Sequence, residues 1–332
     1  MARDLMIDGE WHSQARSWSD DDGSFRRMET TFRDQIHDEP DAMFNPEPDR
    51  YHLYISRLCP WAHGATLVRR LLGLTDKISL NVVDPVREDQ GWEFSPEKAG
   101  CTTDRINGFD FLRETYAEAD PEYTGRVTVP VLWDRERETI VNNESIEIMR
   151  MLCVGFEDHA TDGVDLYPAR HREEIDAVIE DIYRPINNGV YRVGFADTQA
   201  AYDEAVADIF DALDRWDEEL ADQRYLLGDS LTLADVRLFP TLVRFDHVYH
   251  THFKCNRKRL VDYDNLWPYL RDLYQTPGVA ETVDMDHIVE GYYGGMGSLN
   301  PAGIVPDGPD IDFKASHDRD RLPGQPPLEL EA

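Results

Sequence analysis

Cys59 is the side chain in this sequence whose type and position best suit covalent chemistry. It follows residues 51–56, an aromatic and β-branched run that predicts a strand, and precedes residues 61–72, whose apolar side chains recur at helical spacing. We therefore expect Cys59 at the start of a helix, where the helix dipole and unpaired backbone N–H groups favour a thiolate. The alternative is a buried packing cysteine, which is the commonest fate of a free cysteine.

The residue three positions after Cys59 is Ala62 rather than a second cysteine. A dithiol site resolves its mixed disulfide internally, whereas a single cysteine needs attack by an external thiol. The sequence therefore predicts chemistry with a small-molecule thiol.

Val129-Pro130 lies within a predicted strand at 127–133. An X-Pro bond can be cis at modest cost, and a cis bond here would turn the N–H and C=O groups of Val129 towards an extended, peptide-like ligand. The alternative is a proline on an edge strand that has no role in binding.

Glu144-Ser145 opens a predicted helix directly after Asn142-Asn143. A serine hydroxyl and free N–H groups at a helix start bind carboxylates well, and Glu144 can pair with an α-ammonium group. The alternative is ordinary capping of the helix.

The elements that would position these residues form two groups. Strands and helices alternate in the first: 51–56 (strand), 61–72 (helix), 78–83 (strand), 127–133 and 139–142 (strands) and 144–152 (helix). The first two strands are expected to be parallel, because a helical crossover joins them. The second group is helical, at 171–186, 200–220, 232–250 and 266–275. The predicted fold class is α/β plus all-α.

The same patterns divide the chain into four parts. Residues 1–50 are polar and predict an extended arm with little core of its own, and residues 84–125 read as a polar, turn-rich insertion. The predicted parts are the arm 1–50, the α/β domain 51–160, the helical domain 165–293 and an extended, proline-rich tail 294–332.

The formal net charge of −32, from 34 Lys and Arg against 66 Asp and Glu, excludes several partners. So negative a field repels nucleic-acid phosphates and anionic lipids. No apolar run approaches a membrane span, and the N-terminus lacks the apolar stretch of a signal peptide. We expect a cytoplasmic protein. Lysine is nearly absent, and the acid excess is larger than solubility requires, which indicates adaptation to molar salt.

The four cysteines, Cys59, Cys101, Cys153 and Cys255, are irregularly spaced, and no His lies at zinc-ligand spacing from any of them. Neither a disulfide framework nor a metal site is expected, and free thiols in a reducing compartment are the default.

Several separated motifs resemble those of the glutathione transferase superfamily and occur in the same order along the chain. In the first half these are Cys59-Pro-Trp-Ala-His63, Gly125-Arg-Val-Thr-Val-Pro-Val-Leu-Trp-Asp134 and Glu144-Ser145, which are similar to its thioredoxin-like domain. Farther on, Asn187-Asn-Gly-Val-Tyr191, Leu231-Thr-Leu-Ala-Asp-Val-Arg-Leu-Phe239, the run 244–256 and Asn300-Pro-Ala-Gly-Ile-Val-Pro306 resemble the Xi class, the glutathionyl-hydroquinone reductases. The resemblance covers roughly residues 30–310 and implies a thioredoxin-like domain followed by a helical domain.

The resemblance also implies a reaction and residue roles. Cys59 would attack the sulfur of a hydroquinone thioether, release hydroquinone and form a mixed disulfide that a second thiol resolves. Tyr191 would donate or accept the proton, and Tyr249 and Tyr292 would stabilise the thiolate through neutral phenol hydroxyls. The implied thiol-binding residues are Trp92, Arg126, Val127, Thr128, Val129, Pro130, Glu144 and Ser145. No permanently bound cofactor is expected, and a homodimer is implied.

The sequence departs from the family pattern at two places. Gly64 replaces an arginine, which would remove a cation beside Cys59. The glycines of Glu290-Gly-Tyr-Tyr-Gly-Gly295 replace a more histidine-rich segment and are expected to loosen the wall that holds Tyr292.

Two questions stay open at this point. The thiol co-substrate is either glutathione or γ-glutamylcysteine, the thiol associated with many extreme halophiles, because both carry the γ-glutamyl group that Glu144 and Ser145 would contact. The alternatives to a reductase are a conventional transferase, which joins a thiol to an electrophile, and a non-catalytic redox or ligand-binding module. Cys59 opposes the conventional transferase, because that chemistry activates the ligand's thiol, usually through Ser or Tyr.

Overall fold

The computed structural model describes residues 5–13, 22–25, 27–161 and 163–325. The strands are β1 (Leu5–Ile7), β2 (Glu10–His12), β3 (Tyr51–Ile55), β4 (Ser79–Val82), β5 (Gly125–Arg126), β6 (Val131–Asp134) and β7 (Thr139–Asn142). The helices are α1 (Pro60–Leu71), α2 (Leu112–Ala119), α3 (Ser145–Val154), α4 (Arg172–Ile182), α5 (Gly189–Gly194), α6 (Gln199–Glu219), α7 (Leu233–Arg244), α8 (Leu266–Gln275) and α9 (Met285–Gly295).

The described residues fold into two compact units. The first holds 5–13, 28–161 and 282–305, and the second holds 22–25, 27, 163–281 and 306–325. The sequence assigns residues 165–293 to the helical domain, but by its contacts α9 packs within the first unit.

The first unit is built on a four-stranded sheet with the order β4-β3-β6-β7. Leu53 of β3 lies opposite Leu80 in the parallel pair with β4 and opposite Leu132 in the antiparallel pair with β6. The predicted parallel strands are thus confirmed. All five residues of β3 are buried, as an apolar central strand requires when both sheet faces are covered. Helices α1 and α3 pack against each other.

One local prediction in this unit is incomplete and another is wrong. Residues 84–125 are not only turns, because they contain α2, which buries Leu112 and Tyr116 and begins where the Glu114 carboxylate accepts the N–H of Phe111 at 2.8 Å. The strand predicted at 127–133 begins only at Val131. Pro130 has no N–H to donate to a strand ladder, so the preceding residues leave the sheet.

The arm has more structure than an extended chain. Strands β1 and β2 form a hairpin, which the sequence did not predict, and β1 also pairs with β5. Farther along, Arg33 bridges to Asn142 at the end of β7 and forms an ion pair with Glu147 of α3.

The second unit contains α4 to α8. Helices α6 and α8 match the predicted spans closely, whereas α4 and α7 each pass into a five-residue π-helical turn, Tyr183–Asn187 and Phe245–Tyr249. The predicted start of α7 is confirmed, because the Thr232 N–H donates to the Asp235 carboxylate at 2.8 Å. Asp235 also accepts hydrogen bonds from the Leu226 N–H and the Tyr269 hydroxyl, so this fully buried carboxylate joins three segments.

His52 on β3 generates a prediction about acid stability. It is 1% exposed, its Nδ1 lies 2.7 Å from the Ser79 hydroxyl, and burial lowers its pKa to about 3. An unfolded imidazole titrates near pH 6.5, so in the window between these values only the unfolded chain takes up the proton. The free energy of unfolding must then fall as pH falls, by at most about 1.4 kcal/mol per pH unit.

Replacing His52→Gln should make that decline shallower by about 1 kcal/mol per unit between about pH 6 and pH 4, measured by urea unfolding. His12→Gln, at an exposed histidine, is the control and should leave the slope unchanged. Equal slopes for His52→Gln and the parent protein would contradict the prediction.

Candidate active site

Cys59 lies at the N-cap position of α1, with Pro60 as the first helical residue. Proline suits this position because its missing N–H has no helical partner there. The Cys59 Sγ is 3.5 Å from the carbonyl oxygen of Val129. The structure therefore places the candidate nucleophile at a helix start, partly exposed, and next to the loop before β6.

The loop formed by residues 126–130 contains the Val129-Pro130 peptide bond, which is cis. Val127 and Val129 are buried, and the Thr128 carbonyl and N–H groups both bond to the Tyr116 hydroxyl, at 2.9 and 3.2 Å. The carbonyl of Arg126 accepts from the Tyr123 hydroxyl at 2.9 Å. Buried phenols thus hold this loop beside Cys59.

Glu144 and Ser145 lie at the N-terminus of α3, where Glu144 is the N-cap residue. One Glu144 oxygen accepts from the Thr30 hydroxyl at 3.3 Å and the other from the Ser145 hydroxyl at 3.4 Å. The arm residue Thr30 is a contact that sequence reasoning missed, because it lies 114 positions away. A carboxylate beside a helix N-terminus offers sites for both an ammonium and a carboxylate group.

Trp92 lies in the same unit, 5% exposed, with the guanidinium of Arg87 4.8 Å from its ring centre. Its carbonyl accepts the N–H of Leu112, the first residue of α2. A cation held over an indole is attracted to the face of the ring.

Tyr292 is 1% exposed and lies on α9 in the same unit as Cys59. Three contacts fix this helix. Lys98 bridges Asp84 and Glu290 at 2.9 and 2.7 Å, the His287 ring bonds the Ala99 carbonyl, and Gly291 lies against Leu58. Helix α9 is therefore held directly beside the residue that precedes Cys59.

Tyr191 and Tyr249 lie in the second unit, with ring centres 6.1 Å apart. Tyr191 also stacks with Phe25 and Phe195, and the Arg27 guanidinium lies 5.1 Å from its ring centre. Phe25 and Arg27 belong to the arm, and their part in this cluster is a second feature that the sequence did not reveal.

Gly64 and Gly291, two glycines at which the sequence departs from the family pattern, both lie at close packing contacts. A Cβ at Gly64 would lie 2.8 Å from Met149 Sδ, so this position faces α3 and glycine allows the two helices to approach. The expectation of a loosened wall is wrong at Gly291, because a Cβ there would lie 2.8 Å from the Pro85 carbonyl and 2.9 Å from Leu58 Cδ2. Glycine makes this contact tighter.

Two of the other three cysteines, Cys101 and Cys255, lie in surroundings that disfavour a thiolate. Burial raises the pKa of Cys101 to about 12 and also raises the pKa of Cys255, which is fully buried. Both stay protonated near neutral pH. Among residues 5–13, 22–25, 27–161 and 163–325, no group of His, Cys, Asp and Glu has metal-binding geometry. In the same described part of the chain, no helix is long and apolar enough to cross a membrane.

Two family models match the chain, the glutathione S-transferase N-terminal domain over residues 58–154 and the C-terminal domain over residues 199–272. These matches define the class as a glutathione S-transferase with both domains. Glutathionyl-hydroquinone reductase YqjG of Escherichia coli is 46% identical over 95% of this chain and 98% of its own length. Glutathionyl-hydroquinone reductase PcpF of Sphingobium chlorophenolicum is 47% identical over 92% and 96%.

Solved structures of related proteins indicate the same family. A Xi-class enzyme from Natrialba magadii matches with a TM-score of 0.92 and 57% identity, covering 97% of this chain and 98% of that one. The glutathione-bound structure of YqjG matches with a TM-score of 0.87 and 46% identity, covering 95% and 99%. The chain belongs to the Xi class of glutathione S-transferases, the family of the glutathionyl-hydroquinone reductases.

The close approach at Gly291 predicts a difference between two glycines of α9. Gly291→Ala should destabilise the protein by about 1–3 kcal/mol, because the added methyl group must displace Leu58 or the Pro85 backbone. Gly294→Ala is the matched control, since its Cβ would meet only Val86 at 3.7 Å, and it should be neutral or stabilising by up to about 1 kcal/mol. Unfolding by guanidinium measures both, and equal effects would contradict the packing assignment.

Proposed function

We propose that this protein is a thiol-dependent reductase that removes the thiol from glutathionyl-hydroquinone conjugates and similar thioethers. The observation that carries the proposal is the single Cys59 at the start of α1, without a second cysteine three residues later, beside the Val129 carbonyl. The names of the relatives YqjG and PcpF support the same activity.

The proposed first step breaks one carbon–sulfur bond and forms one disulfide. The Cys59 thiolate attacks the thioether sulfur, the bonding electron pair stays on the aromatic carbon, and that carbon takes up a proton. Hydroquinone leaves, and Cys59 carries the thiol as a mixed disulfide. A second thiol then attacks the thiol-derived sulfur of this disulfide, which releases a small disulfide and restores the Cys59 thiolate.

The tyrosines divide the supporting roles in this proposal. Tyr191 transfers the proton at the leaving carbon, and Tyr249 and Tyr292 donate hydrogen bonds to the Cys59 sulfur. Hydrogen bonding to the charged form stabilises a thiolate without a cation. Family motifs support these assignments, and Tyr249 and Tyr292 are both buried.

The thiol-binding roles fall on the first unit. The backbone of residues 126–130 pairs with the extended part of the thiol, with Trp92 and Arg126 beside it. Glu144 and Ser145 take the γ-glutamyl ammonium and carboxylate groups. The support for this assignment is the position of both segments on the same unit as Cys59 and the bound glutathione in the related YqjG structure.

Cys59→Ala should abolish release of hydroquinone, because it removes the sulfur that accepts the thiol in the proposed first step. Exposure of the parent protein to oxidised thiol should add one thiol mass to Cys59, and free thiol should remove it, as read by intact-mass spectrometry. Cys101→Ala is the matched control, since the raised pKa of Cys101 keeps it protonated, and it should retain activity. Hydroquinone release that survives in Cys59→Ala would contradict the proposed mechanism.

The thiol is proposed to be γ-glutamylcysteine as well as glutathione. The acidic composition and the Natrialba magadii relative support a salt-rich habitat. Matched hydroquinone conjugates of the two thiols, assayed in molar KCl, should both turn over, since Glu144 and Ser145 contact the part that the thiols share. Failure of the γ-glutamylcysteine conjugate would remove it as a substrate.

A second consequence of the composition concerns stability. With a net charge of −32, dilute buffer leaves strong repulsion within the fold, whereas in molar salt the Debye length falls to about 3 Å. The melting temperature should therefore rise by roughly 5 °C or more from low salt to molar KCl. Sucrose at equal osmolality is the control, and an unchanged melting temperature in KCl would refute salt adaptation.

We also propose a cytoplasmic homodimer. A reaction that consumes free thiol needs a reducing compartment, which supports the location. The dimer follows from the family and is open to measurement by light scattering in molar KCl.

A further inference from the structure

The hydroxyl of Tyr116 contacts the 126–130 loop and Asn143, which directly precedes the thiol-binding candidates Glu144 and Ser145. Tyr116 lies on α2 and is fully buried. Its hydroxyl donates to the Thr128 carbonyl at 2.9 Å, accepts the Thr128 N–H at 3.2 Å, and accepts the Asn143 side-chain N–H at 3.1 Å. The Thr128 hydroxyl lies 3.3 Å from the same oxygen. A phenol has one donor hydrogen and a small acceptor capacity, so these contacts use it in full.

The Thr128 end of this link lies in the middle of the 126–130 loop. Tyr116 bonds both main-chain polar groups of Thr128, and Tyr123, whose ring centre is 5.0 Å from that of Tyr116, bonds the carbonyl of Arg126. Two phenols therefore fix the path of the backbone just before Val129, whose carbonyl lies against Cys59.

The Asn143 end lies directly before Glu144 and Ser145. Asn143 is 3% exposed, and its main-chain N–H donates to the Phe32 carbonyl at 3.1 Å. The Phe32 ring meets the Tyr116 ring edge-on, with centres 5.8 Å apart. Asn143 is thus held through its backbone by the arm and through its side chain by Tyr116.

A γ-glutamyl thiol must engage both segments at once. Its γ-glutamyl end would contact Glu144 and Ser145, and its cysteinyl end would pair with the loop and present sulfur to Cys59. Such a ligand binds tightly only when the spacing of the two segments is set before it arrives, because ordering the segments on binding would cost affinity.

We propose that Tyr116 is a positioning residue that sets the spacing between the 126–130 loop and the start of α3, and thereby the affinity for γ-glutamyl thiols. The inference rests on the proposed function for the assignment of the two segments. Burial raises the pKa of Tyr116, so the phenol keeps the proton that it donates to Thr128.

The test compares two buried tyrosines of the same unit. Tyr116→Phe removes the hydroxyl that joins the segments. Tyr54→Phe is the matched control, because Tyr54 is equally buried and its hydroxyl also makes a donor bond, to Asp104 at 3.0 Å, and an acceptor bond, from Asn107 at 3.1 Å. None of these partners belongs to the two segments, so Tyr54→Phe measures the loss of a buried hydroxyl alone.

Isothermal titration in molar KCl gives the dissociation constants for S-methylglutathione and S-methyl-γ-glutamylcysteine, which lack the hydroquinone leaving group. We expect Tyr116→Phe to weaken binding about tenfold or more, and Tyr54→Phe to leave it within about twofold. In turnover assays Tyr116→Phe should raise KM for the thiol conjugate far more than it lowers kcat. Equal affinities for the two variants would overturn the proposal.

Asn143→Ala provides a separate test should Tyr116→Phe fail to fold. Asn143→Ala cuts the link at its other end and should also weaken binding, and in combination with Tyr116→Phe its effect should be less than additive if they share one link. Additive effects, or an unchanged affinity in Asn143→Ala, would overturn it. The proposed function fails separately: a parent protein that binds the thioethers but releases no hydroquinone would refute the reductase and leave the spacing role standing.

Discussion

The register of β3 against β6 is the constraint on which the candidate site depends. Tyr54 pairs with Val131 in an antiparallel ladder, so the chain that leaves β3 and the chain that enters β6 lie at the same end of the sheet. That arrangement brings Cys59 and Val129 within 3.5 Å although they are 70 residues apart. A slip of one residue would turn every side chain of β3 to the other face of the sheet. The sheet therefore fixes where the thiol meets the loop.

The sheet and the start of α1 were predictable because their signals are local. Apolar runs mark β3 and β4, Pro60 marks the first turn of α1, and the Thr232–Asp235 pair marks the start of α7. The features that were missed lack such a local signal. Helix α2 lies in a polar stretch of the sequence. The hydrogen bond from Asn143 to Tyr116 joins residues 27 positions apart, so no local sequence pattern predicts it. The packing roles of Gly64 and Gly291 likewise depend on the residues that face them in the fold, which the sequence does not reveal.

The acidic side chains that give the protein its large negative charge differ from the groups that surround Cys59. Some buried carboxylates are paired with arginines, as in the two-bond fork from Arg224 to Asp272, with both distances 2.8 Å. Arginine suits such pairs because its planar fork matches a carboxylate. Added salt screens exposed acids but reaches these buried pairs much less. Salt therefore acts on the surface, while the fold around Cys59 relies on phenols, amides and a helix start.

The return of α9 to the first unit has a consequence for synthesis of the chain. Residues 28–161 leave the ribosome before residues 282–305, so the unit that they share is incomplete until the later segment follows. At translation rates of about 5–20 residues per second, the intervening 120 or so residues take roughly 6–24 s. During that interval the nascent chain carries Cys59 without the helix that later packs beside Leu58. The candidate nucleophile is therefore synthesised seconds before the helix that packs against its neighbour Leu58.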